Sequence, residues 1–203
     1  MSEGRFTEED LLPSADDRRA ARAAIVDRAA ACLAVLAAGA WVGGMMALGA
    51  IAAPMVFSIV PAPLSGEAMG ASFRRFDMVA MGCAVALCGA EVVRTFLARR
   101  RRRAPIERIR GALAIALAGA AAFTGLSLTP RIVELQQAGA RRGEGAEGAL
   151  LERIHQQAEM VAKAEVAMGV VVLALHVFTL RARRPEDEDD DVAALAPLPP
   201  GGG

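Results

Sequence analysis

Residues 29–53 read AAACLAVLAAGAWVGGMMALGAIAA, and no charged side chain interrupts them. At about 1.5 Å of rise per residue, a helix of this length crosses a hydrocarbon core about 30 Å thick. The run is apolar all round, whereas a helix coating a soluble core carries one apolar stripe. It therefore predicts a transmembrane span. A cleaved signal peptide competes, because Ala50-Ile51-Ala52 resembles a small-residue cleavage site. The polar leader before the run is long and acidic, however, and the run exceeds the about 7–15 apolar residues of such peptides. The span is retained.

Downstream, Pro54 interrupts an apolar pattern that Met55 to Val60 continue up to Pro61 and Pro63. Proline removes a backbone donor and crowds the preceding turn, so a kink or break is expected near Pro54. Ser65 to Phe76, with Glu67, Arg74 and Arg75, reads as a short amphipathic piece on the membrane surface. A second span is expected over about 77–97, stopped by Arg99 to Arg103, and a third over about 109–128, ended by Thr129-Pro130. A polar connection follows, with residues 139–148 as its flexible part. A long helix then runs from about Ala149 to Arg184, with the fourth span over about 164–180. Residues 1–28 form a polar leader, 29–184 the membrane domain, and 185–203 an acidic, then Pro/Gly-rich tail expected to be disordered. The fold class is all-α: an integral membrane four-helix bundle with a kinked first span and a long fourth helix.

Four spans place both termini on one side. That side carries about fifteen basic residues near span ends, among them Arg18, Arg28, Arg94, Arg110 and Arg184, against about seven opposite. Basic residues stay cytoplasmic, so both termini are expected in the cytoplasm of a bacterial cell. Formal net charge is zero, and the arginines border apolar runs with no Tyr among them, which weighs against a nucleic-acid surface. The lipid bilayer is the expected partner; homo-oligomerisation is compatible with the chain, and no protein partner is legible.

Lipid offers no hydrophobic drive for helix association, so small residues should mark the contacts. Candidate ridges are Gly39-x-x-x-Gly43 with Gly44, then Gly82, Ala86 and Ala90, then Ala112, Ala116 and Ala120. Trp41 lies mid-span and is expected to face the bundle, where its indole N–H finds a partner. Cys32, Cys83 and Cys88 have no paired spacing and read as small buried residues.

Trp41-Val42-Gly43-Gly44, Ala53-Pro54-Met55-Val56-Phe57, Gly66 through Gly70 and Phe73-Arg74-Arg75-Phe76 together resemble a known family. The chain is similar, over about residues 29–181, to the four-span membrane proteins of domain-of-unknown-function family 4149, themselves similar to transmembrane protein 205. The resemblance implies structural roles for Trp41, Gly43, Gly44, Ala53, Pro54 and Phe57, and for His155 just before the last span. Where family members carry a more polar start to the last helix, this chain has Ala162-Lys163-Ala164-Glu165. The family implies a fold and no settled activity.

Glu152, His155, Gln156, Glu159 and Lys163 share one helix face, and the i, i+4 spacing of His155 and Glu159 lets two ligands meet one metal ion. Glu152, His155 and Glu159 are the candidate metal ligands; the competing reading is a solvated stripe opposite Leu151, Ile154, Ala158 and Val161. Glu91 and Arg94, one turn apart, read as a structural pair near the cytoplasmic end of the second span. His176 stands alone among the spans, whereas haem ligation uses histidines on facing helices. No phosphate loop, nucleophile elbow or triad is visible. The expected function is a non-enzymatic structural, partner-binding or small-transporter component with no cofactor. A metal- or haem-handling protein using His155 or His176 is the alternative.

Overall fold

A computed structural model describes residues 14–98 and 104–180; the basic block at 99–103, the first thirteen residues and the tail from 181 onward lie outside it. The first helix begins upstream of the charge-free run. Ser14 caps α1 (Ala15–Met46), accepting from the Asp17 N–H while the Asp17 carboxylate accepts from the Ser14 N–H. This capping box satisfies two orphan donors. The helix then widens into a π-helical segment, Ala47–Ala52, and continues as α2 (Ala53–Ile59).

The predicted kink at Pro54 takes this π-helical form. Ala53 N–H reaches back five residues to Leu48 O, and the wider turn makes room for the proline ring that follows. The third span repeats the device. From α4 (Pro105–Phe123) the chain passes through π-helical Thr124–Leu128 into α5 (Thr129–Gln137), with Thr129 N–H bonded to Thr124 O just before Pro130. The expectation that Thr129-Pro130 ends the helix is therefore corrected: the ladder shifts register and runs on. Ser65 to Phe76 is likewise no separate surface piece but the first turns of α3 (Leu64–Leu97). α6 (Gly145–Leu180) follows a turn in which Gly139, Gly143 and Gly145 take positive φ, a conformation glycine adopts without a Cβ clash.

Four helical stretches, of 45, 34, 33 and 35 residues, are long and apolar enough to cross a membrane. α1 packs on α3 and α6, and α4 packs on the same two, which closes a four-membered ring. Leu36, Val85 and Ile115 are about 70% exposed on its outside, a belt that suits lipid contact and would be costly in water. The chain is an all-α, multi-pass integral membrane bundle.

The buried faces match the predicted small-residue ridges only in part. On α3 the buried positions are Ser65, Met69, Ala80, Ala84, Leu87, Ala90 and Glu91, which include Ala90 of the predicted ridge; on α4 they are Arg110, Ala114, Leu117 and Ala121. Gly82, Ala112 and Ala116 point outward. Alanine-rich helices offer several small faces, and the buried charge on each helix selects which one turns inward. Gly39 and Gly43 have open space where a Cβ would stand, while Gly44 meets the Phe76 ring and Gly169 meets Val42. Cys32 is exposed, and Cys83 and Cys88 are half-buried, so the buried reading of the cysteines fails at Cys32. A second apolar cluster, Leu128, Leu135, Leu151 and Ile154, joins α5 to the first half of α6.

Candidate functional site

Each of the four long helices turns inward a row with alternating spacings of four and three, the seam of closely packed helices. The rows are Asp27, Ala31, Ala34, Ala38 and Trp41 on α1, and Asp77, Ala80, Ala84, Leu87 and Glu91 on α3. Arg110, Ala114, Leu117, Ala121 and Thr124 continue the pattern, as do Glu165, Gly169, Val172 and His176 on α6. The middle of each row is apolar and small, and the ends are polar. Antiparallel packing stacks those ends into two polar layers.

One layer, at the end of the bundle where α3 gives way to α4 and termed the inner layer, is built around Arg110. Its Nε donates to Glu91 Oε1 at 2.7 Å and a terminal nitrogen donates to Glu91 Oε2 at 3.3 Å, a two-pronged pairing. Its other terminal nitrogen donates to Thr179 Oγ1 at 2.9 Å. Arg94 Nε donates to Asp27 Oδ1 at 3.1 Å, and its Nη1 lies 3.2 Å from His176 Nδ1. Guanidinium can only donate, so Nδ1 accepts and the neutral ring carries its proton on Nε2. That nitrogen is 3.2 Å from Glu91 Oε1 yet off the line of a hydrogen bond, and among the described residues it is the buried side-chain nitrogen or oxygen without a partner. One cluster thus joins α1, α3, α4 and α6. The expected pairing of Glu91 with Arg94 is corrected: each reaches across to a different helix, because side chains one turn apart on a buried face both point at the neighbours.

The other layer, termed the outer layer, centres on Glu165. Trp41 Nε1 donates to Glu165 Oε2 at 3.3 Å and Thr124 Oγ1 donates to Glu165 Oε1 at 3.1 Å. Trp41 is 1% exposed, as expected of a mid-span indole with a polar partner. Nearby, Thr129 Oγ1 donates to Asp77 Oδ2 at 2.8 Å. The two layers differ in balance. Glu91 faces an arginine, whereas the hydrogen bonds to Glu165 and Asp77 come from neutral donors. Glu165 and His176 stand eleven residues apart on α6, about 16 Å of helix filled by Gly169 and Val172.

Glu152, His155 and Glu159 lie before the charge-free part of α6, which starts at Val166. Arg142 donates to Glu152 at 2.7 and 3.2 Å, and Lys163 donates to Glu159 at 2.7 Å. Those bonds hold both carboxyls below the usual carboxylate range. His155 is exposed between them. Among the described residues no three His, Cys, Asp or Glu side chains come together as a metal site. Pro54 and Phe57 are exposed and Ala53 is half-buried, so that motif shapes a lipid-facing turn instead of lining the core.

Sequence reasoning found Trp41, paired Glu91 with Arg94, and noticed His176 alone. It missed Asp27, Arg110, Thr124, Asp77 and Glu165 as partners. The four-and-three spacing back from each charged residue was the available signal.

Residues 36–141 match the family described as Domain of unknown function (DUF4149), just over half of the 203-residue chain. The match takes in Trp41, Gly43, Gly44, Ala53, Pro54, Phe57, Glu91 and Arg110, and ends before His155. No curated protein and no solved structure matches the chain.

Proposed function

The chain belongs to the DUF4149 family of domains of unknown function, and on that premise we propose that it is a non-enzymatic membrane scaffold acting by binding partners. The observation that carries this reading is the inner layer, where Glu91, Arg110, Arg94 and Asp27 are each engaged by another helix. Ionisable groups inside a bilayer are expensive, and they mark conduction or chemistry when they face a cavity or a substrate. Here they face one another. Such a layer locks four spans together and leaves the outer surface for recognition. The likeness to transmembrane protein 205, on Ala53-Pro54-Met55-Val56-Phe57, belongs to the same reading.

Vesicle measurements test it. Reconstituted with a trapped pH-sensitive dye, the protein is expected to pass protons no faster than protein-free vesicles. Added quinone, porphyrin or lipid is expected to be recovered unchanged. Proton flux that Glu91→Gln abolishes would replace the scaffold with a small transporter, and turnover would make it an enzyme. Copper, zinc or haem co-purifying in stoichiometric amount would favour the metal- or haem-handling alternative at His155 or His176.

The reading includes an orientation with both termini cytoplasmic in a bacterial inner membrane. Arg94 and Arg110 are spent inside the bundle, which lowers the count of basic residues to about thirteen against seven and keeps its sign. In a background lacking Cys32, Cys83 and Cys88, single cysteines would be placed in the 139–148 connection and in the tail. An impermeant thiol reagent on intact cells is expected to label the connection and spare the tail. Labelling of the tail alone reverses the orientation.

A further inference from the structure

A groove of about 670 Å³ runs along the outside of the bundle between α3 and α5. That volume falls within the about 300–1,000 Å³ of small-molecule sites. Its polar end carries Arg74 and Glu134, its apolar end carries Met78 and Met81, and Asp77 with Thr129 lies between. The order follows the membrane. On α3 the charge-free run starts at Met78, right after Arg74, Arg75 and Asp77; on the other wall it ends at Pro130, before Arg131 and Glu134. Thr129 is nineteen residues from Arg110 in the inner layer, about 28 Å of helix and close to one hydrocarbon thickness. The groove therefore straddles the boundary between headgroups and acyl chains on the α2–α3 turn side.

We infer that this groove binds a phospholipid with an ethanolamine headgroup. Charge complementarity selects it. Arg74 is exposed and makes no ion pair among the described residues, which leaves its guanidinium fork for a phosphate. Asp77 is half-buried, and its recorded hydrogen bond is the neutral one from Thr129 to Oδ2. A carboxylate so placed calls for N–H donors carrying positive charge, and a primary ammonium supplies them. Glu134 stands at the same end, held by Arg131 at 2.9 Å. A choline headgroup has no N–H to donate and is held elsewhere by aromatic cages; none of the lining residues is aromatic. A glycerol headgroup brings a phosphate to Arg74 and nothing for Asp77. Met78 and Met81 offer the adaptable apolar wall that an acyl chain needs.

The inference deepens the scaffold reading by naming what the scaffold binds. The experiment is lipid retention by native mass spectrometry on the detergent-purified full chain. Palmitoyl-oleoyl phosphatidylethanolamine, phosphatidylcholine and phosphatidylglycerol are supplied one at a time. The chain is expected to keep the ethanolamine lipid about tenfold better than the other two, the discrimination of one charge-assisted hydrogen bond. Asp77→Asn keeps an oxygen for Thr129 and should erase the preference over choline. Arg74→Gln, at an exposed position that does not bear on folding, should weaken retention of all three. Equal retention of the three lipids, as annular lipid would give, overturns the inference, as does an unchanged preference in Asp77→Asn or unchanged retention in Arg74→Gln. Proton flux or turnover in the vesicle assay would overturn the scaffold reading without altering lipid retention, so the two failures are separable.

Discussion

Arg110→Leu is expected to lower the melting midpoint of the detergent-solubilised protein by on the order of 10 °C and to sharply reduce the yield of monodisperse material. The variant leaves the Glu91 carboxylate buried without the Arg110 cation, beside a His176 ring whose Nε2 has no hydrogen-bond partner among the described residues. Breaking a buried pair by deleting one member costs about 3–5 kcal/mol in soluble proteins, because the remaining charge has neither water nor counter-charge. The pair here is buried on both sides, with side-chain exposures of 3% and 11%. Removing both members together is the informative control. Glu91→Leu with Arg110→Leu replaces an ion pair by apolar side chains of comparable volume, an exchange that is often neutral. Most of the lost stability should return. A single variant as stable as the parent, or a double variant no better than the single, would show that the inner layer does not hold the spans together.

Trp41→Ala is expected to be comparably severe, at about 3–5 kcal/mol, through a different cause. The indole is the largest of the fully buried side chains and lies against the core of Ala34, Ala80, Leu117 and Val172. The alanines among the cluster have no long side chains to swing into the space, so much of the cavity persists. Trp41→Phe separates volume from hydrogen bonding. It restores most of the ring and removes the donor to Glu165, which leaves Thr124 as the side-chain donor to that carboxylate. A loss of about 1–3 kcal/mol is expected for the unmade bond. Thermal melts of the three proteins in one detergent check the series. If Trp41→Phe melts with the parent, the contact to Glu165 contributes nothing and the indole is packing alone.

The spans were legible because a charge-free run of Ala29 to Ala53 has few alternatives, and the inward face of Trp41 followed from the cost of an unpaired N–H in lipid. The partners were not legible for a physical reason. A buried charge in a helix is answered by a residue on another helix, and its identity depends on the rotation and height of each helix about the bundle axis. Alanine, which fills these rows, leaves that rotation undetermined: Ala112 and Ala116 match the small-residue rule as well as Ala114 does. Pro130 failed for a related reason. A proline reads as a stop when only α-helical geometry is considered, and the wider turn at Thr124–Leu128 lets the helix pass it. The groove was invisible because Arg74 and Asp77 stand fifty residues or more before Thr129 and Glu134, and only the pairing of α3 with the outer end of the third span joins them.

The burial of Trp41 has an optical consequence. The chain contains one tryptophan and no tyrosine, so nearly all its near-ultraviolet emission originates from one ring. That ring is buried and donates its N–H to the Glu165 carboxylate. Its emission wavelength and lifetime thus respond to solvation at that buried site and to the charge on Glu165, without labelling and without averaging over other tryptophans. The protein carries its own internal gauge of the membrane-embedded acid on which its outer half is built.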